Sequence, residues 1–126
     1  MPVVGVGVDA VDVSRFARVL SRRPRLVERL FAPLERLQCA ERPERLAARF
    51  AAKEAAWKAL GVGLGATDWR DVSVELEDSG APNLRVSGRA AQIALDQGVT
   101  RWHVSLTHTE TTALAFVIAE GDVRAG

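Results

Sequence analysis

Glu54 stands where an apolar residue is expected. Leu46, Phe50, Trp57 and Leu60 recur at helical spacing and mark the core-facing stripe of a helix. Glu54, four residues after Phe50 and three before Trp57, puts a carboxylate on that stripe. A carboxylate there needs a cation, a metal or a wet cleft, because burying it unpaired is costly. The plainer reading is an edge-of-stripe pair with Lys58 at i,i+4. Asp9 poses the same question. It follows the apolar run Val3 to Val8 and is expected at the carboxyl end of a strand, where sites form, although a turn or cap would also use an aspartate. Two carboxylates from separate elements suit a hard cation such as magnesium, which takes one or two carboxylates and leaves positions for water and phosphate. The chain offers no group of histidines and cysteines for zinc.

The cations point the same way. Of 17 basic residues only two, Lys53 and Lys58, are lysines. In an arginine-dominated chain a retained lysine hints at a chemical need, since a compact ammonium is not a guanidinium fork. Gly61-Val62-Gly63-Leu64-Gly65 follows Lys58. It lacks the order of a P-loop but is a loop to which a phosphate can come close. Trp102, Val104 and Leu106 alternate with His103, Ser105 and Thr107. One face of that strand is therefore a row of hydrogen-bonding side chains, suited either to a polar ligand or to solvent. Arg15, Arg18 and Arg22 share a helix face and Arg23 and Arg25 follow, forming a basic patch.

These residues need elements to hold them. The periodicities predict a strand at Val3 to Val8 and a short helix capped by Asp12 or Ser14. A second short helix carries Leu26 to Phe31, and prolines 33 and 43 open further turns. The strongest helix runs from Leu46 to Leu60, with seven alanines, and stops at Gly61. Strands at Val72 to Leu76 and Leu84 to Ser87 flank a hairpin turn at Asp78 to Pro82. A helix from Arg89 to Gln97 and strands at Trp102 to Leu106 and Ala113 to Ala119 complete the chain. Five strands and three or four helices without regular βαβ alternation give an α+β fold, read as one domain over residues 1–126.

Composition narrows the function. Apolar residues are 48% and charged residues 26% of 126, ordinary for a soluble domain. The lone Cys39 excludes an internal disulfide and favours a reducing, cytoplasmic setting. No apolar run is long enough to span a bilayer, and the N-terminus lacks a basic signal region. A net charge of +1 and the absence of tyrosine argue against nucleic acid as partner, even with Arg22, Arg23 and Arg25 together.

Taken in order, Gly5-Val6-Gly7-Val8-Asp9, Arg49-Phe50-Ala51-Ala52-Lys53-Glu54-Ala55, Lys58-Ala59-Leu60-Gly61, Gly80-Ala81-Pro82 and His103-Val104-Ser105-Leu106-Thr107-His108 resemble the holo-acyl-carrier-protein synthase family, the small class of 4′-phosphopantetheinyl transferases. The resemblance spans nearly the whole chain. It implies that family's fold, an antiparallel sheet against a long central helix and shorter helices. It also implies transfer of 4′-phosphopantetheine from coenzyme A to a serine of an apo acyl carrier protein. The carrier would be of fatty-acid, polyketide or peptide-synthetase type, and the other product adenosine 3′,5′-bisphosphate. Mg²⁺ and a cytoplasmic homotrimer with active sites between subunits follow from the same resemblance.

Residue by residue, Asp9 and Glu54 match magnesium ligands, and Lys58 a lysine at the pyrophosphate. Arg49 and His103 match contacts to the nucleotide phosphates, and Gly61 and Pro82 parts of the coenzyme pocket. Arg15 matches a carrier-facing basic residue, with Arg22, Arg23 and Arg25 beside it. Glu54 or a magnesium-bound water would accept the serine proton. Thr107 stands where the family carries a serine and keeps the hydroxyl in the coenzyme-binding motif. The segment between Leu37 and Leu46 is short, which remodels the rim of the cleft. A non-catalytic coenzyme A-binding module of the same fold is the competing reading. Retention of Asp9, Glu54 and Lys58 argues against it.

Overall fold

The computed structural model describes residues 2–122; the domain expected over 1–126 thus has its first residue and last four outside the described part. Strand β1 (Val3–Asp12) leads into helices α1 (Val13–Arg22), α2 (Leu26–Leu30), α3 (Pro33–Cys39) and α4 (Pro43–Leu60). A 3-10 turn at Trp69–Asp71 precedes the hairpin of β2 (Val72–Leu76) and β3 (Pro82–Val86). Helix α5 (Gly88–Asp96) and strands β4 (Val99–His108) and β5 (Thr112–Gly121) follow. The fold is α+β, with five strands and five α-helices among the described residues rather than three or four helices. The extra helix comes from Pro33, which opens α3 at its first position, where a missing N–H costs nothing.

Strands β1, β5 and β4 form one antiparallel sheet in that order, and β2 and β3 form a separate hairpin. Helix α4 lies across the inner face of the three-stranded sheet. Its alanines at 51, 52, 55, 56 and 59 are buried against Ala115, Val117 and Ala119 of β5 and against the inner residues of β4, Trp102, Val104 and Leu106. The approach is closest at β1. A Cβ on Gly5 or Gly7 would lie 1.8 Å from the carbonyl oxygen of Ala59 or Ala55. Strand and helix backbones thus touch directly, which only glycine permits.

The elements end largely where capping chemistry places them. Asp12 rather than Ser14 caps α1, its Oδ1 accepting from the Arg15 amide at 2.8 Å. Gly61, at φ 71°, stops α4. Strand ends depart further from expectation, and β4 runs from Val99 to His108 rather than Trp102 to Leu106. Asp9 does not end β1: pairing with β5 continues from Asp9↔Ala115 to Asp12↔Thr112, so the ladder carries the strand three residues further. The second hairpin strand begins at Pro82 rather than Leu84, because Pro82 pairs with Leu76.

A candidate transfer site at the β1–α4 contact

Alternation along β1 puts Asp9 on the same inner face as Gly5 and Gly7, facing α4 one step beyond the close backbone contact. There it meets two side chains of α4. The Lys58 ammonium donates to Asp9 Oδ1 at 2.7 Å and to the Val8 carbonyl at 3.2 Å. The lysine's ion pair therefore goes across to the strand, not along the helix to Glu54. Glu54 is half-buried and close enough to Asp9 for the two carboxyls to interact. Burial, then the nearby carboxyl and negative charge of Asp9, push its carboxyl up to about 7; Lys58 opposes this in part. The bond to Asp9 raises the Lys58 ammonium, which stays charged.

Asp9 and Glu54 open onto a cleft of about 520 Å³. Its walls are apolar (Phe16, Val19, Leu26, Phe50 and Trp69) and Arg15 lies at its edge. Phe16 stacks on Phe50, and Phe50 on Trp69, at 5.0 Å each, so the walls are tied to α4. The site thus sets two adjoining carboxylates and an ammonium at the mouth of an apolar cleft with a basic rim. Its donor set of carboxylate oxygens suits a hard cation. Among the described residues no three His, Cys, Asp or Glu side chains stand together, so water and a ligand would have to complete such a cation's shell.

The other expected residues lie elsewhere. Pro82 and His103 line a second cleft of about 560 Å³, with Glu77, Arg101 and Trp102. His103 Nε2 lies 3.7 Å from Glu120 Oε1. Strand alternation puts His103, Ser105 and Thr107 on the sheet face opposite Asp9. β4 and β1 are also the two outer strands of that sheet. Gly61 is exposed at the end of α4. Arg15, Arg22, Arg23 and Arg25 are exposed on and after α1, but Arg15 alone of the four lines the Asp9 cleft.

Arg49, expected at the nucleotide phosphates, is engaged inside this chain. It is 3% exposed, and its guanidinium donates to the Glu35 carbonyl at 3.0 Å and to Gln38 Oε1 at 3.1 Å. Within this chain it fastens α3 to α4. The reason is its place on α4: it falls on the side covered by α3, whose carbonyl and amide acceptors a guanidinium fork satisfies.

Residues 5–117 match the family model of the 4′-phosphopantetheinyl transferase superfamily. The chain belongs to that superfamily. It is 54% identical over 118 residues to the holo-[acyl-carrier-protein] synthase of Clavibacter michiganensis, covering 94% of this chain and 96% of that protein. Identity to the synthase of the same name from Frankia alni is 53% over 120 residues, covering 95% and 99%. The fold matches an ACPS–CoA complex from Chronobacterium ammoniagenes with a TM-score of 0.84 and 28% identity, over 94% of this chain and 97% of that one. This 4′-phosphopantetheinyl transferase is thus an enzyme of the holo-[acyl-carrier-protein] synthase kind.

Sequence reasoning passed over two residues at the site. Trp69 forms the wall next to Glu54; an isolated tryptophan in a loop carries no periodicity to mark it. Glu35 is fully buried behind the site. Its signal was its position three residues after Ala32, where a glutamate reaches back to the amide that precedes a helix; Glu35 Oε1 accepts from Ala32 N at 3.0 Å.

Proposed function

We propose that this enzyme moves 4′-phosphopantetheine from coenzyme A to a serine of an apo acyl carrier protein, with Mg²⁺ held by Asp9 and Glu54. The observation that carries the reading is the meeting of Asp9, Glu54 and Lys58 at the mouth of a cleft edged by Arg15. The serine oxygen bonds to the phosphorus that bears pantetheine. The bridging P–O bond breaks, and its electron pair leaves with adenosine 3′,5′-bisphosphate. When bound, the metal supplies positive charge against the pyrophosphate and the leaving oxygen.

The chain's own groups do the rest. Lys58 has three N–H donors, two of them engaged by Asp9 and Val8, and the third is available to a phosphate oxygen. Glu54 or a water beside it receives the serine proton. Gly5 and Gly7 fix the distance between strand and helix on which this geometry depends. The apolar walls exclude water from the phosphorus, and Arg15 meets an acidic carrier. Arg22, Arg23 and Arg25 extend that basic surface. Transfer of this type rests on positioning and charge and needs no protein nucleophile.

The reading extends to a homotrimer of one domain each. His103, Thr107 and Pro82 are proposed to bind the nucleotide end of coenzyme A beside Gly61. They lie away from Asp9 in one chain, so joining the two clefts requires a second copy. The outer sheet face supports this: Val6 and Val8 of β1 and Phe116 of β5 are 51%, 48% and 40% exposed. Ala113, Ala115, Val117 and Ala119, the other side of β5, are already buried against α4. A cytoplasmic setting fits the single buried thiol, Cys39.

The test is release of adenosine 3′,5′-bisphosphate from coenzyme A and apo carrier, followed by chromatography as MgCl₂ is titrated. Turnover should need the metal and fall by about three orders of magnitude in Asp9→Asn and Glu54→Gln. Turnover that survives chelation, or is normal in Glu54→Gln, refutes the reading.

A further inference from the structure

The second lysine is buried rather than presented to a ligand. Lys53 is fully buried, and its ammonium forms an ion pair with fully buried Glu35 at 2.7 Å. Its other two bonds go to the carbonyls of Trp69, at 3.1 Å, and Val72. All three donors are therefore used. Glu35 in turn accepts from the amides of Ala32 and Val74, at 3.0 Å each. One charge pair thus joins the start of α3, the middle of α4, the 3-10 turn and β2.

Energy alone does not explain the pair. Apolar residues of similar volume commonly replace a buried ion pair with little loss of stability or a gain. What the pair does hold is specific. Phe50, Lys53 and Trp57 follow one another at i, i+3 and i+7 along one side of α4. The Trp69 ring packs on Phe50 at 5.0 Å and on Trp57 at 4.3 Å, while Lys53 between them holds the Trp69 carbonyl. Trp69 is therefore fixed at three points on a single helix, and the same ring walls the cleft beside Glu54, the next residue after Lys53.

We propose that Glu35 and Lys53 are positioning residues, which set Trp69 as a rigid wall of the carrier-side cleft beside Asp9 and Glu54. The kinetic part of this inference rests on the transferase reading above; the structural part does not. The wall lies in the cleft that Arg15 edges, where the carrier is proposed to approach the reacting phosphate, while the nucleotide end of coenzyme A is proposed at the cleft of Pro82 and His103. Loosening it should therefore raise the Michaelis constant for the carrier and spare that for coenzyme A.

The double variant Glu35→Gln/Lys53→Met keeps side-chain volume and removes both charges. Far-ultraviolet circular dichroism reads its fold. Near-ultraviolet dichroism reads the closely packed, tilted Trp57–Trp69 pair, and initial rates are taken with each substrate varied. The expected result is a native far-ultraviolet spectrum and a weakened near-ultraviolet tryptophan signal. The carrier constant should rise about tenfold or more, with that for coenzyme A within about twofold. Lys53→Gln, which leaves Glu35 buried without its cation, should give the same pattern at least as strongly. A folded double variant with the wild-type near-ultraviolet spectrum and carrier constant overturns the proposal, as does failure of both variants to fold, which would make the pair a folding determinant. Absence of activity in the wild type would sink the transferase reading, and the near-ultraviolet comparison would still judge the wall.

Discussion

Replacing Gly7 with alanine puts a methyl carbon 1.8 Å from the Ala55 carbonyl oxygen. Ordinary contact for such a pair begins near 3.4 Å. One backbone must therefore retreat by about 1.5 Å, and neither is a flexible side-chain end that can swing aside. β1 has less to hold it, because among the described residues its only sheet neighbour is β5. The strand should lift from α4 and carry Asp9, two residues on, away from Glu54 and Lys58. Overpacking of this kind costs about 1–3 kcal/mol, which for a chain of this size lowers the melting temperature by roughly 4–12 °C. A displacement of about 1 Å at a reacting group can cost about a hundredfold in rate. Gly7→Ala should therefore melt lower and lose about two orders of magnitude in turnover at saturating coenzyme A and carrier. The control is Gly63→Ala, where nothing lies within 4 Å of the added carbon; it should match the wild type in both measurements. Calorimetry and steady-state rates on the three proteins decide the matter. A Gly7→Ala protein with wild-type melting and turnover would show that the strand–helix contact does not set the site.

Lys58→Ala should lower turnover by roughly two to three orders of magnitude, as for other lost transition-state donors. Lys58→Arg should recover only part of it, because the guanidinium is larger and its charge diffuse; initial rates check both. Glu54 links stability to pH. Its carboxyl is raised from 4.5 to about 7 in the folded, metal-free protein, so the folded state binds the extra proton between those values. This contribution to stability is present below about pH 4.5 and is lost as pH rises through 7. Urea unfolding in chelator should show the slope in the wild type and not in Glu54→Gln. Arg15→Glu should raise the Michaelis constant for the carrier and leave that for coenzyme A nearly unchanged, and wild-type efficiency should fall with salt as the basic surface is screened over about 8 Å. Phe116→Glu on the outer sheet face should leave a monomer in sedimentation and abolish most activity; an assembled, active variant contradicts the trimer.

How far these features show in the sequence depends on how local their cause is. Glu54 was legible because a carboxylate on an apolar stripe breaks a pattern within three or four residues. The end of α4 was legible because Gly61 takes the left-handed conformation that the position demands. Gly5 and Gly7 read only as a strand, since their tight contact with Ala55 and Ala59 joins positions about 50 residues apart. Two lysines in an arginine-rich chain looked alike. Lys58 pairs with Asp9 and Lys53 with a buried glutamate 18 residues away, and no spacing rule connects Lys53 to Glu35. The α3 contacts of Arg49 were hidden for the same reason: its acceptors exist only once α3 and α4 pack. The second cleft was legible as residues but not as a place, because strand alternation puts His103 and Asp9 on opposite faces of one sheet.

The central claim is that the Asp9–Glu54–Lys58 site transfers phosphopantetheine to a carrier serine. Intact mass and peptide mapping of an apo acyl carrier protein, incubated with the enzyme, coenzyme A and Mg²⁺, test it most directly. The carrier should gain one phosphopantetheine on a serine in the presence of the wild type, and none with Glu54→Gln or without metal. A carrier that stays unmodified with the folded wild-type enzyme, or is modified equally by Glu54→Gln, would contradict it.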